Sequence, residues 1–227
     1  MRKRLSALPL LLVLAPLVAA AAAADDDKKA KPYDIGSEVD GAIALRDIDG
    51  KSHALKDYRG KPVVLNFWSI QCPYSVGYEQ RLKALHAKYS ERGVAFLMLD
   101  ANHTEVDRDA KDPYARIRKY VEKAEVPYPI LIDENNVVAD RFAATSTPHF
   151  FVLDAKGVLR YAGNLDDDPR GTRGDDATPN LANALDDLLA GKKVRVERTK
   201  EKGCSIKRVP KPEPEDGERK KKQGGRG

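Results

Sequence analysis

Residues 61–75 read KPVVLNFWSIQCPYS, and this stretch decides the class of fold. Its apolar part, 63–68, is rich in β-branched and aromatic residues, as is typical of a strand buried on both faces of a sheet. Cys72 and Pro73 follow, and then apolar side chains recur with helical spacing. They are Tyr78, Leu82, Leu85 and Tyr89. The stretch therefore predicts a buried strand that leads through a short loop into a helix beginning at Pro73.

Strands and helices alternate on either side of this stretch. Further strands are predicted at 42–47, 52–55, 94–99 and 129–132, and a hairpin at 148–153 and 158–163. Helices are predicted at 112–124 and, as a single turn, at 136–142. The last helix has Thr178 as N-cap and Pro179 as first residue, and Gly191 closes it. This order predicts an α/β fold with a central mixed sheet flanked by helices.

The two ends of the chain differ in composition from its middle. A positive start, an apolar run at 8–18 and an alanine-rich stretch at 19–24 predict a signal peptide over residues 1–24, with the mature chain beginning between Ala20 and Asp25. An uncleaved anchor is the alternative. After cleavage we expect a periplasmic or secreted protein without stable membrane insertion. The remaining divisions are a polar linker at 25–34, a domain at 35–191, an extension carrying Cys204 at 192–208 and a disordered basic tail at 209–227.

The net charge of +5 over 227 residues does not indicate nucleic-acid binding. Much of the positive excess lies at the two ends, at 2–4 and 219–222, and acids and bases are nearly matched between them. No stripe of Lys and Arg interleaved with aromatic residues is present, so no nucleic-acid partner is predicted.

Cys72 is the first candidate for chemistry. At the N-cap of a helix its sulfur faces free backbone N–H groups and the positive end of the helix dipole. Both favour the thiolate, which is the nucleophilic form, so the pKa of Cys72 is predicted to lie below its ordinary value. The alternative is a buried structural cysteine that behaves as a small apolar side chain.

The residues around Cys72 resemble a known family. Residues 66–75 resemble the active-site segment of periplasmic thioredoxin-like thiol–disulfide oxidoreductases, which have Asn-Phe-Trp-Ala and then Cys-Pro-x-Cys or Cys-Gly-Pro-Cys. Thr147-Pro148 resembles the family's cis-proline loop, and the hairpin after it is also similar. The resemblance covers about 35–189 and implies a thioredoxin-like fold in which Trp68, Tyr74 and the Thr147-Pro148 loop surround the thiol.

The sequence departs from this family at one catalytic position. Ser75 replaces the second cysteine of the motif, so the usual dithiol cycle between these two positions cannot run. Ser69, three residues before Cys72, also resembles the Ser/Thr-x-x-Cys core of alkyl hydroperoxide reductase and thiol-specific antioxidant peroxiredoxins, whose hydroxyl helps to hold the peroxide. The proline that those enzymes carry four residues earlier is Leu65 here, so the peroxidase pattern is incomplete.

Cys204 is the candidate for the missing thiol. It follows Gly203, and the chain resembles bacterial secreted redoxins in which a Gly-Cys motif trails the thioredoxin-like domain. Two interpretations stay open. Cys204 either forms a permanent structural disulfide with Cys72 or resolves a sulfenic acid or mixed disulfide on it, and we favour the second.

Other polar residues carry weaker signals. His149 follows the cis-proline, where it either tunes the thiolate or points away from it. Asp166, Asp167 and Asp168 form a carboxylate cluster that is expected to be a solvated loop. The histidines have no metal-like spacing, and neither a metal nor a cofactor is predicted.

The sequence therefore predicts an exported thiol-based oxidoreductase. Cys72, Cys204, Ser69 and Ser75 are its candidate catalytic residues. Its substrate is a peroxide or a protein disulfide, and its electrons come from an external thiol reductant protein. The alternative is a catalytically silent thioredoxin-fold binding module with a structural Cys72–Cys204 disulfide.

Overall fold

The structure is a computed structural model, and it describes residues 31–210. The predicted signal peptide, its cleavage site and nearly all of the predicted basic tail lie outside the described residues. Within the described part, no helix is long and apolar enough to cross a membrane.

Residues 31–210 form nine strands and four α-helices. The strands are β1 (Ala44–Arg46), β2 (Ser52–Ala54), β3 (Val63–Trp68), β4 (Ala95–Asp100), β5 (Ile130–Ile132), β6 (Ser146–Thr147), β7 (His149–Leu153), β8 (Leu159–Gly163) and β9 (Cys204–Ser205). The helices are α1 (Pro73–Ser90), α2 (Ala115–Ala124), α3 (Val137–Arg141) and α4 (Asn180–Leu189).

Five strands form the central sheet, in the order β5-β4-β3-β7-β8. β3 is parallel to β4 and β4 is parallel to β5, whereas β7 is antiparallel to β3 and to β8. Two small antiparallel pairs, β1-β2 and β6-β9, lie outside this sheet. The predicted α/β thioredoxin-like fold, a mixed sheet flanked by helices, is confirmed.

The centre of the sheet is apolar on both faces because helices cover both. Every residue of β3 is buried. Val64 and Trp68 pack in a cluster with apolar residues of α1, α2 and α4, while Leu65 and Phe67 pack in a second cluster with α3. This alternation explains why five of the six residues at 63–68 are apolar, with Asn66 as the exception, rather than polar at every second position.

Two predicted helix starts are wrong. α4 begins at Asn180 with Pro179 as its N-cap, not with Thr178 as N-cap. The Thr178 side chain is turned toward Asp167 instead of the helix, because its hydroxyl and its N–H both donate to the carboxylate of Asp167, at 2.9 and 2.7 Å. α2 begins at Ala115, later than predicted, because the Asp112 carboxylate accepts from the N–H of Tyr114 in a turn before the helix.

After α4 the chain returns to the sheet and then crosses to the loop before β7. Ala162 in β8 exchanges backbone hydrogen bonds with Glu197 and Thr199, at 3.0 and 3.1 Å. We call the next segment, residues 203–209, the strap. It contains β9, and its Ile206 is buried in the cluster that includes α3.

Candidate active site

Cys72 lies at the mouth of α1, between the end of β3 and the first turn of the helix. Its backbone is extended, with φ −87° and ψ 113°, and Pro73 is the first helical residue. Cys72 is 1% exposed. The predicted N-cap position of the thiol is confirmed, and the thiol itself is covered by other parts of the chain.

The loop before β7 faces this thiol. The Thr147-Pro148 peptide bond is cis, as the sequence predicts. The thiol of Cys72 donates a hydrogen bond to the carbonyl oxygen of Thr147, with 2.9 Å between Sγ and O. The Cys72-Pro73 motif and the Thr147-Pro148 motif, which are far apart in the sequence, are therefore in contact.

Cys204 reaches the same point from the strap. β9 pairs with β6 in antiparallel fashion, so that Cys204 lies opposite Thr147 and Ser205 lies opposite Ser146. Both cysteines are free thiols, and a hydrogen bond between their side chains shifts the pKa of each. Cys72 is buried, whereas Cys204 is half-buried. The structure thus brings together the two cysteines that the sequence singles out.

Gly203 is required for this close approach of the strap. A Cβ added at Gly203 would lie 2.6 Å from the carbonyl carbon of Thr147 and 3.1 Å from the nitrogen of Pro148. Real Cβ atoms essentially never come within 3.0 Å of such neighbours. Two backbones touch here, which only a residue without a side chain permits. The close approach of the two backbones therefore explains why this position of the Gly-Cys motif is a glycine.

The rest of the strap is held mainly through its backbone. The N–H of Ile206 donates to the carbonyl oxygen of Thr145 at 3.0 Å. The N–H groups of Lys207 and Val209 donate to the Oδ1 atoms of Asn102 and Asn136, at 2.9 and 2.8 Å. Val209 is therefore still attached to the domain, although the sequence predicts that the disordered tail begins there.

The pKa values of the two thiols move in opposite directions. Burial by itself raises the pKa of Cys72, but hydrogen bonds from the Thr147 side chain, from the N–H of Ser75 and from Cys204 outweigh it, so the pKa lies below its ordinary value. The predicted direction is confirmed. Burial, the hydrogen bond to Cys72 and the charge of Cys72 raise the pKa of Cys204 to about 11. Cys72 is therefore the thiol that ionises first.

A buried carboxylate, Glu105, holds the loop that precedes Cys72. It accepts hydrogen bonds from the hydroxyl of Ser69, from the N–H of Ile70 at 3.0 Å and from the N–H of Gln71 at 3.2 Å. The Ser69 oxygen in turn accepts from the N–H of Gln71 at 3.1 Å. Ser69 is 4% exposed and Glu105 is 1% exposed. The Ser69 hydroxyl is therefore engaged in fixing the loop.

Asp100, at the end of β4, lies beside Glu105. Burial and then the negative charge of Glu105 raise the pKa of Asp100 well above its ordinary value. Its Oδ1 accepts from the backbone N–H of Asn102 at 2.8 Å and from the Asn102 side-chain amide at 3.0 Å. Because Asn102 also binds the backbone of Lys207, the carboxyl pair is connected both to the loop before Cys72 and to the strap.

The other predicted site residues take supporting positions. Ser75 is 2% exposed, and its backbone N–H bonds to the sulfur of Cys72. Trp68 is fully buried, with its ring 5.4 Å from that of Tyr120, so it supports the site from beneath. Tyr74, next to the helix start, is half-buried.

His149 points away from the thiol, which is one of the two predicted alternatives. Its ring packs on Phe151 with 4.3 Å between centroids, in the face of the sheet that α3 covers. Burial, together with the charge of Arg198, lowers the pKa of His149 to about 4 despite the opposing effect of Glu201. His149 is therefore neutral at physiological pH.

The predicted solvated carboxylate loop is wrong for two of its three members. Asp166 is 5% exposed and pairs with Arg81, and Asp168 is 3% exposed and accepts from the N–H of Arg173. These carboxylates are used in internal hydrogen bonds that fold the loop after β8. Within residues 31–210, no group of three or more His, Cys, Asp or Glu residues could hold a metal ion.

The sequence analysis missed Glu105, Asp100 and Asn102. One signal was present, because polar residues follow β4 where it ends, and the ends of parallel strands meet at one edge of the sheet. What the sequence does not reveal is that the loop after β4 turns back to bind the loop before Cys72, 34 to 36 positions earlier in the chain.

A low-pKa thiol at a helix mouth, facing a cis-proline loop on a mixed sheet, defines a thiol-dependent oxidoreductase of the thioredoxin-like redoxin superfamily. The comparisons with known proteins agree with this class. The model of the AhpC/TSA family matches residues 35–162, and the chain belongs to this family.

The curated relatives carry a thiol-redox name. The Thiol-disulfide oxidoreductase ResA of Bacillus cereus is 27% identical over 150 residues, which are 66% of this chain and 81% of that protein. ResA of Geobacillus thermodenitrificans is 28% identical over 118 residues, which are 52% of this chain and 63% of that protein.

Solved structures also resemble the chain over most of its length. An uncharacterized conserved protein from Geobacillus kaustophilus is 30% identical, with a TM-score of 0.70, and the match covers 79% of this chain and 95% of that one. A hypothetical protein from Sinorhizobium meliloti is 26% identical, with a TM-score of 0.69, and the match covers 80% of this chain and 98% of that one.

Proposed function

We propose that this protein is an exported thiol–disulfide oxidoreductase that alternates between a dithiol and a Cys72–Cys204 disulfide. Cys72 is the nucleophile and Cys204 is the resolving thiol. The observation that carries the proposal is the pairing of β9 with β6, which puts Cys204 opposite the residue that accepts the hydrogen bond of the Cys72 thiol. The proposal of export rests on the pattern of residues 1–24.

The reaction has two exchange steps. The Cys72 thiolate attacks one sulfur of a substrate disulfide, forms a mixed disulfide and releases the other sulfur as a thiolate. Cys204 then loses its proton and attacks the Cys72 sulfur, which closes the intramolecular disulfide and releases the second substrate thiolate. Two electrons pass from the protein to the substrate. Ser75 cannot perform the second step, because its hydroxyl does not ionise as a thiol does.

Two features support disulfide exchange over peroxide reduction. The Ser69 hydroxyl, which resembles the peroxide-holding group of peroxiredoxins, is bound to Glu105. Leu65 stands where the peroxidase pattern has proline. The names of the ResA relatives point the same way. The Thr147-Pro148 loop and Tyr74 form the surface that we propose for the substrate.

Peroxide remains a second candidate oxidant because of one observation. Cys72 is 1% exposed, so a small molecule can reach its sulfur with less movement of the strap than a protein disulfide needs. The thiolate would take one oxygen from hydrogen peroxide to become a sulfenic acid, and the peroxide would leave as water after gaining a proton. Cys204 would then form the same disulfide and release the second water.

The test compares four proteins treated with either oxidised glutathione or hydrogen peroxide, followed by mass spectrometry of the cysteine peptides. The natural chain is expected to form the 72–204 disulfide. Cys204→Ser is expected to stop at a mixed disulfide or a sulfenic acid on Cys72, and Cys72→Ser is expected to lose turnover. Ser205→Ala, a change at an exposed neighbour of Cys204, is the matched control.

The alternatives predict different outcomes of this experiment. If the disulfide is structural, removing Cys204 lowers the melting temperature and leaves the thiol chemistry of Cys72 intact. If the protein is a binding module, none of the four proteins turns over. Unchanged multiple turnover in Cys204→Ser, without an added thiol protein, contradicts the resolving role. The ratio of the rates with the two oxidants identifies the substrate class.

A further inference from the structure

We propose that the external thiol reductant attacks this disulfide at the sulfur of Cys204, so that Cys72 is the leaving group and forms no bond with the reductant. The inference rests on the proposed function, since it concerns how the 72–204 disulfide is reduced. The strap is then more than a carrier of the second thiol. It is the surface on which the electron donor acts.

Access to the two sulfurs is the first argument. Cys72 is 1% exposed, beneath the carbonyl of Thr147 and the strand β9. Cys204 is half-buried and lies between exposed residues, with Lys202 before it and Ser205 after it. A thiolate must approach the attacked sulfur in line with the bond that breaks, so the more accessible sulfur reacts faster.

The cover over Cys72 persists when the disulfide forms. The two side chains are already in hydrogen-bond contact in the dithiol, with the strap in place. Gly203 is seated against Thr147, and Ile206 is buried in the core. A covalent link at Cys204 adds one more attachment to this segment, so Cys72 stays covered in the oxidised protein.

The chemistry of the leaving group points to the same sulfur. In thiol–disulfide exchange, the sulfur with the lower thiol pKa leaves faster. Against the effect of burial, hydrogen bonds from the Thr147 side chain and from the N–H of Ser75 lower the pKa of Cys72 without help from Cys204, whereas burial raises the pKa of Cys204. Attack at Cys204 expels the stable Cys72 thiolate, whereas attack at Cys72 would expel the poorly stabilised thiolate of Cys204.

Electric charge also favours approach at the strap. Lys202 and Lys207 flank Cys204 and are exposed. Lys207 acts on Cys204 by its charge, in the direction that stabilises a negative sulfur there. An incoming thiolate is therefore attracted to this surface, and a protein reductant that carries acidic residues around its cysteine would fit it.

The 72–204 disulfide is reduced in two exchange steps. The thiolate RS⁻ bonds to the Cys204 sulfur, the 72–204 bond breaks and its electron pair stays on Cys72. A second RS⁻ then attacks the R sulfur of the mixed disulfide, gives R–S–S–R and returns Cys204, which takes a proton. Two electrons enter the protein from two molecules of a monothiol or from one dithiol.

The experiment uses full-length protein oxidised to the 72–204 disulfide and then mixed with glutathione. Samples are quenched in acid after short times, labelled with N-ethylmaleimide and mapped by mass spectrometry. At the earliest times, glutathione is expected on Cys204 and N-ethylmaleimide on Cys72, in an excess of about tenfold or more over the reverse pattern. Glutathione mainly on Cys72, or equal amounts on both, would overturn the inference.

A charge variant gives an independent measurement. Lys207→Glu keeps the backbone hydrogen bond to Asn102 and is expected to slow reduction by glutathione several-fold at low salt. Lys51→Glu, at an exposed lysine in the β1-β2 turn, is the control and should reduce at the natural rate. Equal rates for the two variants would also count against the inference. If no 72–204 disulfide can be prepared, the proposed function fails, which is a separate result.

Discussion

The loop that carries Cys72 and the strap that carries Cys204 meet at Thr147, but different interactions hold them. The loop is fixed at both ends, by β3 and by α1, and a buried carboxylate binds three of its polar groups. The strap has one buried apolar side chain, that of Ile206, and is otherwise held by backbone hydrogen bonds and by Arg208, which pairs with Asp140 and donates to the carbonyl oxygen of Ala144.

The difference implies that the two regions open at different free energies. A segment with few buried apolar contacts can detach locally, while a loop between a core strand and a core helix is held by the packing of both elements. We therefore expect the nucleophile to be rigid and its cover to be movable. A protein disulfide could reach Cys72 through a transient opening of the strap, after which the strap returns and Cys204 completes the reaction.

The largest expected effect tests whether the strap positions Cys204. Gly203→Ala forces a Cβ into the backbone of Thr147, so the strap must shift. We expect the rate of 72–204 disulfide formation to fall about 100-fold, because a displacement of about 1 Å is enough for such a loss. Quenched-flow oxidation followed by mass spectrometry measures the rate.

The same variant should expose the nucleophile. Alkylation of Cys72 by iodoacetamide is expected to be faster in Gly203→Ala than in the natural protein, since the cover is weakened. Gly77→Ala is the matched control, because Gly77 lies in α1 with nothing within 4 Å of its added Cβ. That change should leave both rates unaltered and favour the helix slightly. A Gly203→Ala protein that forms the disulfide at the natural rate would mean that the strap does not position Cys204.

The second-largest expected effect concerns the loop before Cys72, which Glu105 holds. Glu105→Gln keeps the shape of the side chain but replaces one accepting oxygen by an NH₂ group, so that either the N–H of Ile70 at Oε2 or the Ser69 and Gln71 donors at Oε1 lose their acceptor. Leaving such buried donors without an acceptor costs about 1–3 kcal/mol in the free energy of unfolding. We also expect about a tenfold slower reaction of Cys72, because the loop before it is no longer fixed.

Denaturant unfolding and the oxidation rate measure these two effects. Glu122→Gln, at an exposed position of α2, removes the same charge without touching the loop and should change neither quantity. A Glu105→Gln protein with natural stability and rate would show that the loop does not need the Glu105 carboxylate to hold it. The proposed difference in rigidity between loop and strap would then be contradicted.

The sequence predicts some parts of the site and not others, and the difference again depends on whether neighbouring or distant residues determine them. β3, the N-cap position of Cys72 and the cis-proline are predictable because neighbouring residues determine them: an apolar run, a Cys-Pro pair and a Thr-Pro pair followed by a strand. Glu105 was not predictable, because its role arises from the return of a distant loop. The cap of α4 was predicted wrongly because Asp167, eleven positions earlier, binds the Thr178 hydroxyl and turns it away from the helix.

Cys204 is an intermediate case. The sequence identifies it by elimination and by the Gly-Cys motif, but its place opposite Thr147 depends on strand pairing between segments more than fifty residues apart. The steric need for Gly203 becomes visible only when both backbones are seen together. Short-range patterns therefore identify the nucleophile, and long-range packing decides what faces it.

The smallest expected effect is on the ionisation of Cys72, and it tests whether the strap acts on the nucleophile electrostatically as well as covering it. The natural protein should show two thiolate transitions by ultraviolet absorbance, one with a midpoint below the ordinary cysteine pKa and one with a midpoint at about 11. Because the thiols interact, the two midpoints belong to the pair until variants assign them.

A donor that bonds to a thiolate lowers its pKa, so Cys204→Ala, which removes the donor, should raise the pKa of Cys72 and abolish the upper transition. Cys204→Ser retains a donor and should leave the lower midpoint closer to its natural position. Conversely, Cys72→Ser removes the charge that raises the pKa of Cys204, whose midpoint should fall. If the lower midpoint is the same in Cys204→Ala and in the natural protein, then the Thr147 side chain and the N–H of Ser75 alone stabilise the thiolate, and the strap only covers Cys72 and supplies the second sulfur.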